Sequence, residues 1–178
     1  MVDDKSRSDA LQAEVEFETR RAEPAGLEET FERHSGMVFR AAYRVTGNAV
    51  DAEDVLQTVF LRALARGGDV EAVELPAAYF KRAAVNAAVD VLRRREFRAE
   101  SSYDNQESRP VVQPSFVLRE QLRRAIATLD SDDATLFLLR HVEGLSIEEL
   151  AGMFEIEKNN VAVRLHRIRV RLQAEMER

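Results

Sequence analysis

Between Leu145 and Leu172 the apolar positions recur with helical spacing in two successive runs, separated by a short break at residues 155–158. In the first run Leu145, Leu150 and Phe154 supply an apolar face. Ser146, followed three residues later by Glu149, has the form of a capping box and predicts a helix start. In the second run Val161, Leu165, Ile168 and Leu172 stand at i, i+4, i+7 and i+11, which predicts a helix starting at Asn159 or Asn160. Arg164, Arg167 and Arg171 fall on a different face, and Arg169 widens it. Two short helices, a tight turn and a basic outer face on the second helix describe a helix-turn-helix. A solvated amphipathic helix pair would show the same apolar stripe, so the preceding chain has to discriminate.

That preceding chain is also patterned for helices. Leu27, Phe31, Val38, Ala42 and Val45 form one stripe ending before Gly47, a residue free to take positive φ. Asn48 or Asp51 can cap a helix over 52–65 that buries Val55, Leu56, Val59, Phe60 and Leu64 and turns Glu53, Asp54 and Gln57 outward. Acids in a first turn also suit the helix dipole, so this face has a purely structural explanation too. Gly67-Gly68 breaks the pattern and residues 66–75 are expected as a loop. Pro76 suits the first position of a helix running to about Arg98. Phe80, Ala84, Ala87, Val91 and Leu92 face inward there; Tyr79, Lys81, Arg82, Asn86 and Arg93 to Arg95 occupy the rest. Residues 99–115 are polar with two prolines and read as a linker. A helix over 116–129 turns Leu118, Leu122, Ala125, Ile126 and Leu129 inward. The acidic run 130–133 caps another over 134–142, where Leu136, Phe137 and Leu139 are buried.

The expected organisation is all-α. An acidic leader (1–26) precedes a first helical domain (27–98), and a flexible linker (99–115) leads to a second (116–178). Composition supports this, with 7 glycines and 4 prolines in 178 residues. The absence of cysteine excludes disulfides and thiolate metal sites and fits a reducing cytosol. His34, His141 and His166 are scattered and make no ligand cluster. No apolar run approaches bilayer length, and the N-terminus lacks a signal-peptide core. The net charge of −6 argues against a generic nucleic-acid binder, but its distribution matters more. Residues 1–30 carry nine acids and four bases, residues 76–98 six bases and two acids, and residues 158–171 five bases and no acid.

Taken in order, these pieces resemble a bacterial RNA polymerase sigma factor of the small extracytoplasmic-function (ECF) type, in the sigma-70 family. The resemblance runs from Leu27 to Arg178. The first half resembles the sigma-2 domain, through Asp51, Ala52, Glu53, Asp54, Gln57 and Phe60 and then Ala84, Asn86, Asp90 and Arg93 to Arg95. The second resembles sigma-4, through Leu139 to Ala151 and Arg164 to Arg169. The resemblance implies that Asp51, Glu53, Asp54 and Gln57 face the polymerase β′ subunit. It makes residues 66–98 the reader of melted minus-10 DNA. Tyr79 is then the candidate aromatic, Lys81, Arg82, Arg93, Arg94 and Arg95 the phosphate contacts, and Asn86 a base-edge ligand or a buttress. Lys158, Asn159, Asn160, Arg164, Arg167 and Arg169 would meet the minus-35 major groove, with Arg169 and Arg171 toward phosphate.

Implied partners are core polymerase (β′ and β subunits), promoter DNA and an anti-sigma factor, with no cofactor, no metal, no membrane insertion and a cytoplasmic location. No nucleophile–base pair is visible, so the chain is not expected to be an enzyme. Three departures bear on the second domain. Glu155 stands where the family's turn usually carries glycine, Ala162 and Val163 stand where polar or basic residues are usual, and Asp130, Asp132 and Asp133 make an acidic run where many relatives carry a basic or proline-marked one. A helix-turn-helix regulator that does not replace sigma, or a sigma-like adaptor recruited by another protein, are the alternative readings.

Overall fold

The computed structural model describes residues 24–65, 76–101 and 114–177. All regular elements among them are helices: α1 (Pro24–Thr46), α2 (Ala49–Ala65), α3 (Pro76–Ser101), α4 (Pro114–Ala127), α5 (Ser131–His141), α6 (Ile147–Phe154) and α7 (Lys158–Met176). The leader up to residue 23, the loop 66–75 and linker residues 102–113 lie outside the described residues.

Local chemistry sets most of the boundaries. Gly47 takes φ 68° after α1, and the Asn48 side chain accepts the Val50 N–H at 2.8 Å to start α2. Asp130 accepts the Asp133 N–H at 2.9 Å to start α5. Ser146 and Glu149 form the full reciprocal capping box of α6, at 3.1 and 2.7 Å. α7 differs from expectation: it begins at Lys158, and Glu157 before it makes no side-chain cap bond. Glu155, closing α6, sits in the left-handed region at φ 55° and ψ 41°. It is the one non-glycine positive φ among the described residues.

Helices α1, α2 and α3 form a bundle around Val38, Ala42, Val55, Val59, Phe80 and Ala84. An aromatic stack secures it, with Phe80 between His34 (centroids 4.8 Å) and Phe60 (5.1 Å) and Phe31 edge-on to Phe60. α5, α6 and α7 enclose Leu136, Leu139, Leu150, Val161 and Ile168, with α4 against α3 and α7. The two halves share one continuous apolar core because α3 is buried on two faces. Phe80, Ala84, Ala87 and Val91 fill the first face, while Val85, Ala88, Val89 and Leu92 are buried beside it. A helix apolar on more than one side is buried on more than one side. Leu64 and Leu118, expected inside, are exposed near the ends of α2 and α4, and Phe31 is 44% exposed although its ring packs against Phe60.

Polar contacts hold the halves in this closed packing. Arg82 donates to the Met153 carbonyl (2.7 Å) and lies over the Phe154 ring (4.5 Å), Arg93 donates to the Leu129 carbonyl, and Arg123 donates to the Val45 carbonyl (3.0 Å). The Thr135 hydroxyl donates to the Asn86 side-chain oxygen, and Arg44 pairs with Glu143 at 3.0 Å.

The left-handed Glu155 gives a direct test of stored strain. A residue with a Cβ loses ~1–2 kcal/mol in that conformation, and glycine returns part of it through greater unfolded-state freedom. Glu155→Gly should therefore raise stability by about 0.5–1 kcal/mol in urea denaturation, and an unchanged or lower midpoint would show that the turn is unstrained.

Candidate nucleic-acid interface

Three surfaces carry the residues singled out from sequence. The first is the stripe of α3 formed by Arg82, Asn86, Val89 and Arg93, at i, i+4, i+7 and i+11. Three of these four side chains are engaged by the second half. Next to the stripe, Val59, Arg62, Tyr79, Arg82, Ala83 and Asn86 line a cleft of about 330 Å³. It offers an aromatic edge, an amide and two guanidinium groups. Arg62, an exposed α2 residue, belongs to this cleft and was not foreseen; its nearness to Tyr79 depends on how α2 packs on α3. Lys81 lies on the other side of Tyr79, in an apolar cleft of about 610 Å³ closed by Leu145, Gly152 and Met153 of the second half.

Arg93, Arg94 and Arg95 are consecutive, yet 100° of helical rotation sends them to different places. Arg93 reaches the Leu129 carbonyl. Arg95 pairs with Asp51 and donates to the Thr46 carbonyl at 3.2 Å. Arg94 is exposed and, with Arg98 one turn on, makes no hydrogen bond or ion pair among the described residues.

The second surface is α7. Its buried Val161, Leu165, Ile168 and Leu172 fix which side faces out. Asn159, Asn160, Arg167 and Arg169 are exposed, and neither arginine has an ion-pair partner among the described residues. Lys158 is exposed but pairs with Glu148 at 2.6 Å. Arg164 is turned back onto the start of α5, where its Nε meets the Asp133 carboxylate and Nη2 lies 3.7 Å from Asp130. Burial pushes Asp133 above the usual carboxylate range, with Arg164 offsetting part of the effect. Burial also opposes ionisation of Asp130, but the Asp133 amide and side chain and the Arg164 charge outweigh it and hold that group low. The acidic run that departs from the resemblance therefore holds α7 through Arg164. Beside Arg169, His141 is pushed below its ordinary value by burial and by the Arg169 and Arg140 charges. His166, which belongs to no ligand cluster among the described residues, lies exposed on the outer side of α7.

The third surface is the outer side of α2. Glu53, Asp54 and Gln57 are exposed with no internal partner among the described residues, between Val50 and Leu61, which are 66% and 64% exposed. Asp51 belongs to the same helix but is held by Arg95. Among the described residues no group of histidines and acids could hold a metal ion, and no helix is long and apolar enough to cross a membrane.

Two family models match the chain. Residues 30–98 match Sigma-70 region 2 and residues 119–172 match Sigma-70 region 4. The chain is 31% identical over 145 residues to the RNA polymerase sigma factor CarQ of Myxococcus xanthus, covering 79% of this chain and 83% of that protein. It is 28% identical over 152 residues to the RNA polymerase sigma-E factor of Streptomyces coelicolor, covering 84% and 85%. It is 28% identical over 154 residues to the ECF RNA polymerase sigma factor SigE of Mycolicibacterium smegmatis, covering 82% of this chain but 60% of that longer protein. In fold it is similar to the sigma factor RpoE solved in complex with the anti-sigma factor NepR from Bartonella quintana, at TM-score 0.50 and 18% identity over 84% of this chain and 96% of that one.

The different environments of the α7 arginines predict different stability effects. Arg164→Ala leaves the half-buried Asp133 without its charge partner and should cost ~1 kcal/mol, discounted for partial exposure. Arg167→Ala should change stability by less than about 0.5 kcal/mol. Urea denaturation of the two variants checks this, and equal effects would remove Arg164 from its role in holding α7.

Proposed function

Because the chain belongs to the sigma-70 family of RNA polymerase sigma factors, of the ECF type, we propose that it binds core polymerase and directs initiation at specific promoters. The observation that carries this reading is the pairing of two surfaces in one chain: the outward acidic face of α2 and the outward basic face of α7. A plain helix-turn-helix regulator accounts for the second only, and the match over residues 30–98 has no place in it. The polymerase supplies the chemistry and this chain supplies recognition, in the cytoplasm where polymerase works.

Glu53, Asp54 and Gln57 would dock on a basic surface of β′, with charge setting encounter and register more than affinity. Val50 and Leu61 would bury apolar area at either end of the contact. At the minus-10 element Tyr79 would stack on an unpaired base and Asn86 would bond a base edge, while Arg62, Lys81, Arg82, Arg93, Arg94 and Arg95 would supply positive charge along the strand. At the minus-35 element the N-terminal half of α7, with Asn159 and Asn160, would enter the major groove, with Arg167 and Arg169 on its flanks. β contacts, and an anti-sigma factor like the one bound to the Bartonella relative, complete the proposed partners.

The second half holds one guanidinium nitrogen each of Arg82 and Arg93 and the side-chain oxygen of Asn86, so DNA would have to compete for these atoms. Full use of these three side chains at the minus-10 element would draw α3 away from α4, α5 and α6. Glu143→Arg, which opposes Arg44, should enlarge the radius of gyration in small-angle scattering, and adding Arg44→Glu should restore it. A radius unmoved by Glu143→Arg would show that the pair does not hold the closed form.

Run-off transcription with purified core polymerase and genomic promoters tests the function itself. Discrete new start sites are expected. Binding to core without initiation would favour the recruited adaptor, and neither binding nor initiation would overturn the sigma reading. Asp54→Arg should weaken core binding at least tenfold with the fold intact by circular dichroism; an unchanged affinity would remove α2 from the contact.

A further inference from the structure

Resting on the sigma-factor reading, we infer that Val163 is a specificity residue of the upstream element and that it selects a thymine through the base's C5-methyl group. The buried positions of α7 define its inner side. At 100° per residue the opposite side carries Asn159, Val163, His166, Arg167 and Val170, all exposed. Val163 is 42% exposed at the middle of the N-terminal half, the part of a recognition helix that reads bases. Val170 is two turns further on, past that part.

The surroundings of Val163 specify nucleic acid as the occupant of this face. No acid lies between Lys158 and Arg171, and Arg167 and Arg169 have no carboxylate partner among the described residues. Arg164, the one arginine adjacent in sequence, is drawn away by Asp133 and Asp130. What the helix presents at its centre is therefore an isopropyl group, with an amide before it and a guanidinium after it.

In the major groove the thymine methyl is the apolar feature of the base-pair edges. Purine acceptors or the cytosine amino group placed against valine would lose water and gain no partner, which disfavours them. Thymine gains by burying its methyl. A valine at this position thus sets which base is preferred and does not abolish reading.

The test uses the full chain bound to core polymerase. Upstream elements are selected from a randomised pool, and each selected thymine is then replaced singly by deoxyuridine, which differs only by the methyl. One position should show about fourfold weaker binding with uracil, the value of one buried methyl group. Val163→Ala, an exposed substitution that leaves the core untouched, should bring that thymine-to-uracil ratio close to one. A ratio of one at every thymine in the unsubstituted protein, or a ratio that Val163→Ala leaves intact, overturns the inference and leaves the sigma reading standing. Selection of no upstream element overturns both the inference and the placement of α7 in a groove. A chain that fails to bind core at all overturns the function on which they rest.

Discussion

Every α-helix ends with carbonyls that its own backbone cannot satisfy, and in this protein three such ends converge where the two halves meet. α1 presents Val45 and Thr46, the turn that closes α4 presents Thr128 and Leu129, and α6 presents Met153. Each is answered by guanidinium: Arg123 and Arg95 on the first, Arg171 and Arg93 on the second, and Arg82 on the third. A cation suits the negative end of a helix, and the planar guanidinium fork tolerates partial burial better than an ammonium. The arrangement is reciprocal, since the first half lends Arg82 and Arg93 and receives Arg123. Gly47 is part of it: a Cβ there would come within 2.1 Å of Arg123, so this residue serves both the positive φ and the passage of the capping side chain.

This capping divides the positive charge of the chain into two populations. The α3 arginines that reach helix ends are matched to dipoles and carboxylates inside the protein. Cations without a hydrogen-bond or ion-pair partner among the described residues include Arg167 and Arg169 on the outer side of α7 and Arg94 and Arg98 at the far end of α3. A count of bases along the sequence cannot see this. The run Arg93-Arg94-Arg95 reads as one basic patch, yet its members end at a carbonyl, in solvent and on Asp51.

What was legible in the sequence is whatever has its partner within one helical turn. The Ser146–Glu149 box, the Asp130 cap, the positive φ of Gly47 and the α7 stripe all follow from spacings of three or four residues. The strain at Glu155 was legible as well, because its backbone geometry is a local matter. The pairings of Arg164 with Asp133, 31 residues away, and of Arg82 with Met153, 71 residues away, depend on packing that no periodicity encodes. The second buried face of α3 lies between these cases. Its run Ala83 to Val89 is apolar almost all round, a mark of a helix covered on two sides, and attention to one stripe alone passed over it. Arg62 beside Tyr79 had no local signal, since α2 and α3 meet only in the folded chain.

The closed packing treats the proposed interfaces unequally. The outer side of α2, with Glu53, Asp54 and Gln57, is open while α3 is covered by the second half. On the proposed reading core polymerase would be met by the closed chain, whereas full use of the α3 stripe on minus-10 DNA would need Arg82, Asn86 and Arg93 to change partners. Phosphate oxygens are stronger acceptors for guanidinium than peptide carbonyls, so on the proposed reading DNA would outcompete the helix ends once brought near. It can shift the equilibrium only by the difference between those affinities. On that reading a helix cap that stabilises the closed chain would also be a term in promoter selection: a weakly bound sequence would leave the arginines on the carbonyls, and a well-bound one would take them.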